Sequence, residues 1–560
     1  MSQRVSWALL AALSLLYLAV AARSPDAVGL WQDDAIYLAT ARSLAEGSGY
    51  RHIELASQPL QTKYPVLYPA VLALAFLVNP DYPDNLPLLL LPTALAAAGL
   101  VVLSALYWRA VLRERAGAVW ALAALAAGSP AIVAFVRYTM SDLLYGLLAI
   151  AALLCLDGRS VAARTPRASR GWVAAGAGLI GLAVLTRGIG VSLAGAALLA
   201  LLLRRRLADA GIAACVVLLC ALPWWAWQAW AASTNGPLQT LEAPDLSYAL
   251  WLPRELEQTL RVVRQNLFRS AVSLAYFQLA LPVDFVSSAF AGRSWHTPAL
   301  HGLCYGIFAL LLGGFARSFR RGWHTLHLYA LAYAGMLLAW PFDPHRFLMP
   351  WTPFLLYFLF EGLRGLAGAL GRGLGAAGRR ARGAELLAWT AAGLLAIPFA
   401  AEDYRIATAP PERYFARELA SGLDLSEVHR LEDWLRRNTA ASDVIASAWP
   451  ARFFLTTGRR GFVFWPDTNP YARYYGPDRR WSAFYVLPSP SETRAMFEDM
   501  RAHMPRAYRE AGVSYYVEQG RLREAAVFAH LIKAYPGAFD PAYATPRGDF
   551  RVYRVNPDDL

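Results

Sequence analysis

The sequence predicts a polytopic α-helical membrane protein that carries a soluble α/β domain at its C-terminal end. Three observations predict this fold class. The 560 residues are 57% hydrophobic and only 17% charged, which is too apolar for one soluble globule of this length. Arginines cluster in short segments between long apolar runs. From about residue 403 the apolar runs shorten, and charges of both signs become balanced.

Residues 6–22 form the first apolar segment, and we expect it to remain in the membrane as an anchor. The alternative is a cleaved signal peptide, since residues 19–21 (AVA) resemble a cleavage site. Ten further spans are predicted at 87–107, 117–136, 142–157, 172–186, 189–203, 208–230, 297–316, 325–341, 347–363 and 384–401. The resulting eleven spans place the two chain termini on opposite sides of the membrane.

Two apolar stretches are not counted as spans. Residues 66–78 are short for crossing a bilayer, and counting them would invert every later loop. Counting residues 271–291 as a span would likewise move every later loop to the other side of the membrane. We expect residues 66–78 to form a juxtamembrane or re-entrant helix on the outer face, and residues 271–291 to lie along that face.

The basic residues predict the orientation of the chain. They cluster at 109–115, 159–170, 204–206, 317–321 and 364–382, always on the same side of the predicted spans. Arginine-rich loops of this kind stay in the cytoplasm. The N-terminus is therefore expected in the cytoplasm, and the C-terminal domain outside an inner (plasma) membrane. The net charge of +13 is explained by these loops, so the bilayer and not nucleic acid is the expected partner.

The chain divides into a membrane domain at 1–402, with an outer loop at 23–86, and a soluble domain at 403–560. In the soluble domain, residues 428–435 have helical spacing, while residues 444–448 and 514–518 are typical of strands. All the cysteines lie in apolar runs without metal-ligand spacing, at Cys155, Cys215, Cys220 and Cys304. The soluble domain is therefore expected to contain no disulfide.

Two adjacent carboxylates, Asp33 and Asp34, follow the first span where it should leave the bilayer, and acidic pairs are costly near hydrocarbon. The predicted threading brings further polar residues to the same face. These residues are Lys63, Arg137, Asp142, Arg187, Asp343, His345 and Arg346. Random polar substitutions would be distributed over both faces, so this convergence indicates a functional site.

Each of these residues also has a purely structural explanation. The acidic pair fits the N-terminal dipole of a helix that begins directly after it. Lys63 fits a snorkelling interfacial lysine, and Arg187 fits a ligand of lipid headgroups. Arg137 and Asp142 are spaced to pair on consecutive turns, and the segment around His345 fits a capped turn.

The same residues together suit the transfer of a sugar from a phosphate-linked donor. Such transfer needs a base to deprotonate the acceptor hydroxyl and cations to stabilise the departing phosphate. A carboxylate with lysine and arginine groups at the outer leaflet supplies both, and the apolar helices can hold an isoprenoid tail. Adjacent carboxylates do not require a glycosidase, in which a separated acid and base flank the sugar.

Four segments resemble the GT-C class of integral membrane glycosyltransferases, close to protein O-mannosyltransferases and to the aminoarabinose and galacturonic acid transferases that act on lipopolysaccharide. Residues 33–37 (DDAIY) are similar to the acidic motif of the first outer loop, whose second acid is usually Glu. Residues 63–67 (KYPVL) resemble a Lys-Pro-Pro-Leu-like segment with one proline replaced by tyrosine. Residues 181–188 (GLAVLTRG) and 345–350 (HRFLMP) resemble two later segments of the class.

The resemblance implies that Asp33 is the catalytic base and that Asp34 orients the base or the acceptor. Lys63, Arg187 and Arg346 are expected to contact the donor phosphate. Substrate contacts are expected from Tyr37, Arg137, Asp142 and His345. No cofactor is expected, and no metal either, because the Asp pair has no neighbouring histidine.

The predicted reaction is an inverting single displacement at the outer face of the membrane. It moves a sugar from a polyprenyl-phosphate donor to a hydroxyl of a glycan, lipid or protein acceptor; the sugar and the acceptor remain open. One alternative is a transporter or flippase for a lipid-linked saccharide, which would use the same basic face to bind phosphate. A ligase for whole oligosaccharides is a third possibility, distinguished by donor length.

Overall fold

The computed structural model describes residues 3–23, 26–29, 31–242, 255–281, 296–340, 344–373, 379–408, 424–463, 490–519 and 523–560. Part of the stretch predicted at 271–291 lies outside these residues, and so does Asp343. The helices up to residue 408 are α1 (Gln3–Ala22), α2 (Asp33–Ala45), α3 (Leu67–Val78), α4 (Leu86–Ala110), α5 (Ala116–Ala127), α6 (Pro130–Phe135), α7 (Asp142–Leu153), α8 (Pro166–Thr186), α9 (Val191–Leu203), α10 (Leu207–Thr234), α11 (Pro237–Glu242), α12 (Leu256–Ser273), α13 (His296–Arg321), α14 (Thr325–Ala339), α15 (Thr352–Gly373) and α16 (Arg379–Thr408). Shorter helical segments adjoin α7, α9, α12 and α15, at Leu154–Arg159, Ser160–Ala162, Gly188–Gly190, Leu274–Gln278 and Met349–Trp351.

The prediction of a polytopic helical membrane protein is confirmed. Six of the described helices are long and apolar enough to cross a membrane, namely Arg4–Ala22, Leu86–Ala110, Asp142–Ala162, Pro166–Thr186, Leu207–Thr234 and Ala299–Arg321. Each overlaps a predicted span. Further apolar helices are shorter, at Leu67–Val78, Ala116–Ala127, Gly188–Leu203 and Thr325–Ala339. The number of spans, eleven, stays a prediction.

One predicted span is interrupted in the structure. The segment predicted at 117–136 forms two helices, because α5 ends at Ala127 and α6 begins at Pro130. A proline suits the first turn of a helix, where its missing N–H group has no partner to lose. Residues 128–129 therefore separate two short helices at this point.

Helices α13 and α15 cross with their backbones almost in contact, and glycine makes this approach possible. A β-carbon at Gly362 would overlap the carbonyl oxygen of Leu310. A β-carbon at Gly314 would overlap the carbonyl oxygen of Phe358 from the opposite helix. Small residues that allow backbones to approach are a common means of helix association in membranes.

The Gly362→Val substitution is expected to destabilise the membrane domain by at least about 1–3 kcal/mol, because overpacking forces the two helices apart. Gly368→Val is the matched control, since Gly368 lies on the same helix with open space around it. Thermal unfolding of the two purified variants in detergent measures the difference. Equal losses of stability would show that the close crossing contributes nothing.

The C-terminal part is an α/β domain, as predicted. Its elements are α17 (Leu425–Asn438), β1 (Val444–Ser447), α18 (Pro450–Thr457), β2 (Gly461–Val463), α19 (Pro490–Ala511), β3 (Val513–Gln519), α20 (Arg523–Ala534), β4 (Phe539–Ala544) and β5 (Phe550–Val555). The sheet has the order β2-β1-β3-β5-β4, with β1 parallel to both of its neighbours and β5 antiparallel to β3 and β4. The predicted helix at 428–435 lies within α17, and the predicted strands correspond to β1 and β3.

The C-terminal domain is joined to the loop at 23–86, which follows α1. Leu55 of this loop forms a parallel β-bridge with Gly461, at the first residue of β2. Gly461 N–H donates to the carbonyl oxygen of Glu54 at 2.7 Å, and Ala56 N–H donates to that of Gly461 at 3.0 Å. The domain therefore lies against the same loop that contains the acidic pair.

Candidate active site

The acidic pair opens helix α2 after a tight turn. Gln32 N–H donates to the carbonyl oxygen of Gly29 at 3.1 Å, and Gln32 adopts a positive φ of 61°. Asp33 and Asp34 therefore both lie in the first turn of α2, where unpaired N–H groups favour negative charge. Their side chains have entirely different surroundings.

Asp33 faces a group of cations and stays partly accessible. Arg346 Nη1 donates to Asp33 Oδ2 at 2.6 Å, and the Tyr64 hydroxyl donates to Oδ1. Burial by itself raises the pKa of Asp33, but the charges of Arg346 and Lys63 and the hydrogen bond from Tyr64 hold it below its usual range. The lowered pKa favours the ionised form of Asp33, and 23% of its side chain is exposed.

Asp34 faces the protein backbone instead. It is fully buried, and its two oxygens accept from the N–H groups of Gly29 and Ala35, both at 3.0 Å. Burial raises the pKa of Asp34 to about 7; the bonds from Gly29 and Ala35 oppose this rise, Asp33 adds to it, and Arg452 lowers it. Asp34 thus holds the turn before α2 in place, which is compatible with the predicted orienting role.

Asp142, Arg187 and Arg346 meet at three helix ends. Asp142 begins α7, Arg187 directly follows α8, and Arg346 precedes α15. Arg187 Nη1 lies 2.7 Å from Asp142 Oδ2, and Arg346 Nε lies 3.4 Å from the same oxygen. Arg346 consequently bridges Asp33 and Asp142. The buried Oδ1 of Asp142 has no hydrogen-bond partner among the described residues.

Tyr37 is attached to this cluster through a serine that the sequence did not suggest. The hydroxyl groups of Tyr37 and Ser141 share a hydrogen bond of 3.0 Å, and Arg187 Nη1 donates to Ser141 Oγ at 3.1 Å. The Tyr37 ring also packs against those of Tyr64 and Tyr68, with centroids 4.9 and 5.2 Å apart. Tyr37 is buried, and its hydroxyl group is engaged by Ser141.

Lys63 is held beside the site by its own loop and by α10. Its Nζ lies 5.0 Å from the centroid of the Tyr64 ring, and Gln61 Oε1 accepts from the Lys63 N–H at 2.8 Å. Trp227 and Gln228 donate to the carbonyl oxygens of the two residues before Lys63, at 2.9 and 2.7 Å. The tryptophans of α10 look in sequence like an interfacial aromatic belt, so this anchoring contact was not predicted.

The remaining two predicted residues have different surroundings. His345 stacks on Phe277 with a centroid distance of 4.8 Å and lies 6.0 Å from Trp31, so it borders the turn before α2. Arg137 is buried and donates to the carbonyl oxygen of Ile406 in α16 at 3.1 Å. The structure thus turns Arg137 toward α16, and Asp142 takes Arg187 as its partner, not Arg137 as the helical spacing suggested.

A second polar region lies at the other end of α7 and α8. An open cleft of about 640 Å³ is lined there by Asp157, Arg164 and Arg206, among others. The 21 residues of α8 separate it from the Arg187 end by about 30 Å. Its Arg204 and Arg206 are already paired with Asp157 and Asp209. At the Asp33 end, by contrast, the described residues combine a partly exposed carboxylate with converging cations.

The described residues contain no group of three or more His, Cys, Asp and Glu side chains arranged to hold a metal ion. The expectation that the protein uses no metal stays a prediction.

The fold matches solved structures of membrane glycosyltransferases. ArnT from Cupriavidus metallidurans in the apo state is 13% identical, with a TM-score of 0.50 over 100% of this chain and 99% of that one. AglB from Archaeoglobus fulgidus, in complex with an inhibitory peptide and a dolichol-phosphate, is 14% identical, with a TM-score of 0.51 over 99% of this chain and 74% of that one. The same oligosaccharyltransferase in its apo form is 15% identical, with a TM-score of 0.52 over 99% of this chain and 75% of that one.

At these identities the similarity shows the fold. The chain is an integral membrane protein with the GT-C glycosyltransferase fold, as the four motifs implied. No protein-family model matches the sequence, and no curated protein matches it either.

Proposed function

We propose that this protein transfers a sugar from a polyprenyl-phosphate donor to an acceptor hydroxyl, by an inverting single displacement at the outer face of the membrane. The observation that carries the proposal is the surroundings of Asp33: an ionised, partly exposed carboxylate in direct contact with Arg346, at the point where several helix ends meet. The GT-C fold supports it, and the AglB structure was solved with a dolichol-phosphate, an isoprenoid phosphate of the proposed kind.

The charges of the cluster suit a phosphodiester. Three cations (Lys63, Arg187 and Arg346) surround two carboxylates (Asp33 and Asp142), which leaves one positive charge for the donor phosphate. Arg187 is neutralised chiefly by Asp142, while Arg346 divides its contacts between Asp142 and Asp33. We therefore expect the incoming phosphate to compete with Asp33 for Arg346.

That competition would prepare the base. In the free protein Arg346 keeps the pKa of Asp33 low, which makes the carboxylate a weak base. When the phosphate draws Arg346 away, the pKa of Asp33 rises toward a value better suited to accept a proton. Donor binding and activation of the base are thus coupled by one guanidinium group.

The proposed reaction forms one bond and breaks one bond at the anomeric carbon of the sugar. The acceptor oxygen bonds to the anomeric carbon as its proton passes to Asp33, and the bond from that carbon to the phosphate oxygen breaks. The electron pair leaves with the polyprenyl phosphate, whose charge Lys63, Arg187 and Arg346 stabilise. We propose that His345, beside Trp31, and the unpartnered oxygen of Asp142 contact the sugar or the acceptor.

Arg137 and Tyr37 take a different place in this proposal. Because Arg137 donates to the backbone of α16 and the Tyr37 hydroxyl shares a hydrogen bond with the buried Ser141, we assign both to support of the site. The orientation follows the basic loops: the N-terminus lies in the cytoplasm, while the acidic pair and the C-terminal domain lie on the outer side of the inner membrane.

The testing experiment incubates membranes that contain the protein with radiolabelled polyprenyl-phosphate sugars differing in sugar and chain length. Label that moves from the donor to lipid, glycan or protein, and only with an intact Asp33, supports the proposal and identifies the donor. Transfer confined to oligosaccharide donors would make the protein an oligosaccharide ligase. Movement of intact donor across the bilayer without transfer would make it a flippase.

A further inference from the structure

An arginine of the C-terminal domain is buried where an unpaired charge would be very costly. Arg452 in α18 is 1% exposed. Its Nε lies 2.6 Å from Glu432 Oε1, and its Nη2 lies 3.3 Å from Glu432 Oε2. A buried ion pair of this kind is weak evidence for stabilisation of the fold. The other contacts of Arg452 therefore indicate its role better.

Those other contacts lie in the outer loop. Arg452 Nη1 donates to the carbonyl oxygen of Val28, and Nη2 lies 3.7 Å from Asp26 Oδ2. Asp26 is itself held by the hydroxyl group of Tyr82. Gly29 fits against the arginine: it has a φ of 92°, and a β-carbon there would lie only 2.7 Å from Arg452 Cβ. The loop is therefore shaped around this side chain.

The same loop residues determine where the acidic pair lies. Gly29 N–H donates to Asp34 Oδ2 at 3.0 Å, while its carbonyl oxygen accepts from Gln32 N–H at 3.1 Å. These two bonds close the turn after which α2 begins, so they set the direction of Asp33. We propose that Arg452 is a positioning residue, through which the C-terminal domain fixes the turn that orients Asp33 for the reaction.

This inference rests on the proposed function, and it makes the C-terminal domain part of the catalytic machinery. The domain has a second contact with the loop besides Arg452, the β-bridge between Leu55 and Gly461, and we expect this contact to keep the domain docked. Loss of Arg452 should therefore loosen the turn without releasing the domain.

The test compares Arg452→Met with Arg459→Met in the full-length protein. Arg459 donates to Thr439 Oγ1 and to the carbonyl oxygens of Thr439 and Arg436, so its bonds hold its own domain together. We expect Arg452→Met to lower kcat about 10–10²-fold with little change in the KM for the donor, as is typical of a small misplacement of a catalytic group. Arg459→Met should leave kcat unchanged in the folded fraction.

Hydrogen exchange gives a readout that needs no substrate. In purified protein, amides at 26–36 should exchange faster in Arg452→Met than in the wild type, and at the wild-type rate in Arg459→Met. Unchanged exchange at 26–36 in Arg452→Met overturns the inference, even if no donor is found. A wild-type protein that transfers no sugar refutes the proposed function alone, whereas wild-type kcat in Arg452→Met refutes this inference alone.

The pH profile separates positioning from general damage. Asp34 accepts a hydrogen bond from Gly29, so kcat/KM, which reports the free protein, should fall as the pH drops through the Asp34 pKa of about 7, whereas the pKa of Asp33 in the free protein lies too low to contribute there. Charged or titratable groups face Asp34 from its own helix (Asp33), from α18 (Arg452) and from α3 (Tyr68). Arg452 lowers the pKa of Asp34, so Arg452→Met should move this acidic limb to higher pH, and Arg459→Met should not.

A second variant approaches the same contact from the loop. Gly29→Ala would press a β-carbon against Arg452 at a backbone conformation unfavourable for alanine, without altering the C-terminal domain. Gly29→Ala should also lower kcat and speed amide exchange at 26–36. This variant tests the inference even if Arg452→Met fails to fold. Wild-type kcat and exchange in Gly29→Ala would contradict the inference.

Discussion

Asp33→Asn is expected to abolish sugar transfer while the protein stays folded and still binds its donor. The amide cannot accept the proton of the acceptor hydroxyl, and loss of a general base lowers kcat by about 10²–10⁴-fold. Donor affinity should be retained or improved, because Arg346 loses its competing carboxylate and becomes available to phosphate. The measurement is kcat and the KM for the donor in membranes with matched amounts of protein.

Asp84→Asn provides the matched control, since Asp84 is an exposed acid of the same outer loop. It should behave as wild type. Asp33→Glu keeps a carboxylate but displaces it by one methylene group, so partial activity is expected. Undiminished transfer by Asp33→Asn would remove Asp33 from the chemistry and leave the cluster without its proposed base.

Arg346→Met is expected to give the second largest loss, about 10²–10³-fold in kcat/KM, the usual effect of removing a preorganised group that stabilises developing charge. Unlike the loss of Asp33, this change should raise the KM for the donor as well as lower kcat, because Arg346 is proposed to contact the phosphate both in the bound donor and in the transition state. Asp33 and Asp142 would also lose a shared partner, which lowers the stability of the site.

Arg346→Lys separates charge from geometry, since lysine keeps the charge but cannot contact both carboxylates through a rigid fork. Intermediate activity is expected. Arg317→Met is the control. Arg317 lies near the C-terminal end of α13 and pairs with Glu361, and without Arg317 this glutamate still has Arg321 and Arg364 as partners. A kcat/KM for Arg346→Met equal to that of Arg317→Met would show that Arg346 serves the fold and not the phosphate.

Much of the architecture follows from patterns that are local in the sequence. Long apolar runs predicted the helices at 87–107 and 208–230, since a span must satisfy its backbone internally and expose only apolar side chains to lipid. The shorter run at 66–78 was set apart by its length, and α3 indeed has only 12 residues. Alternation of short apolar runs with balanced charge likewise predicted β1, β3 and α17 in the C-terminal domain.

The candidate site was predicted less completely, because its contacts join residues far apart in the chain. Arg346 meets Asp33 across 313 positions, and Tyr64 and Ser141 enter the cluster through helix packing. The predicted face contained Asp33, Asp142, Arg187 and Arg346, which the structure brings together. It also contained Arg137, which the structure turns toward α16. The end of a helix determines on which face of the membrane domain a residue lies, whereas the crossing of helices determines which side chains that residue contacts.

The acidic pair shows this division most clearly. The sequence alone predicted that two carboxylates precede a helix shortly after an apolar segment, because this pattern is local in the chain. Only the tertiary structure decided that Asp33 meets the cations while Asp34 binds the backbone of Gly29 beneath Arg452. Adjacent residues of a helix point about 100° apart, so what each one meets depends on the elements packed on either side.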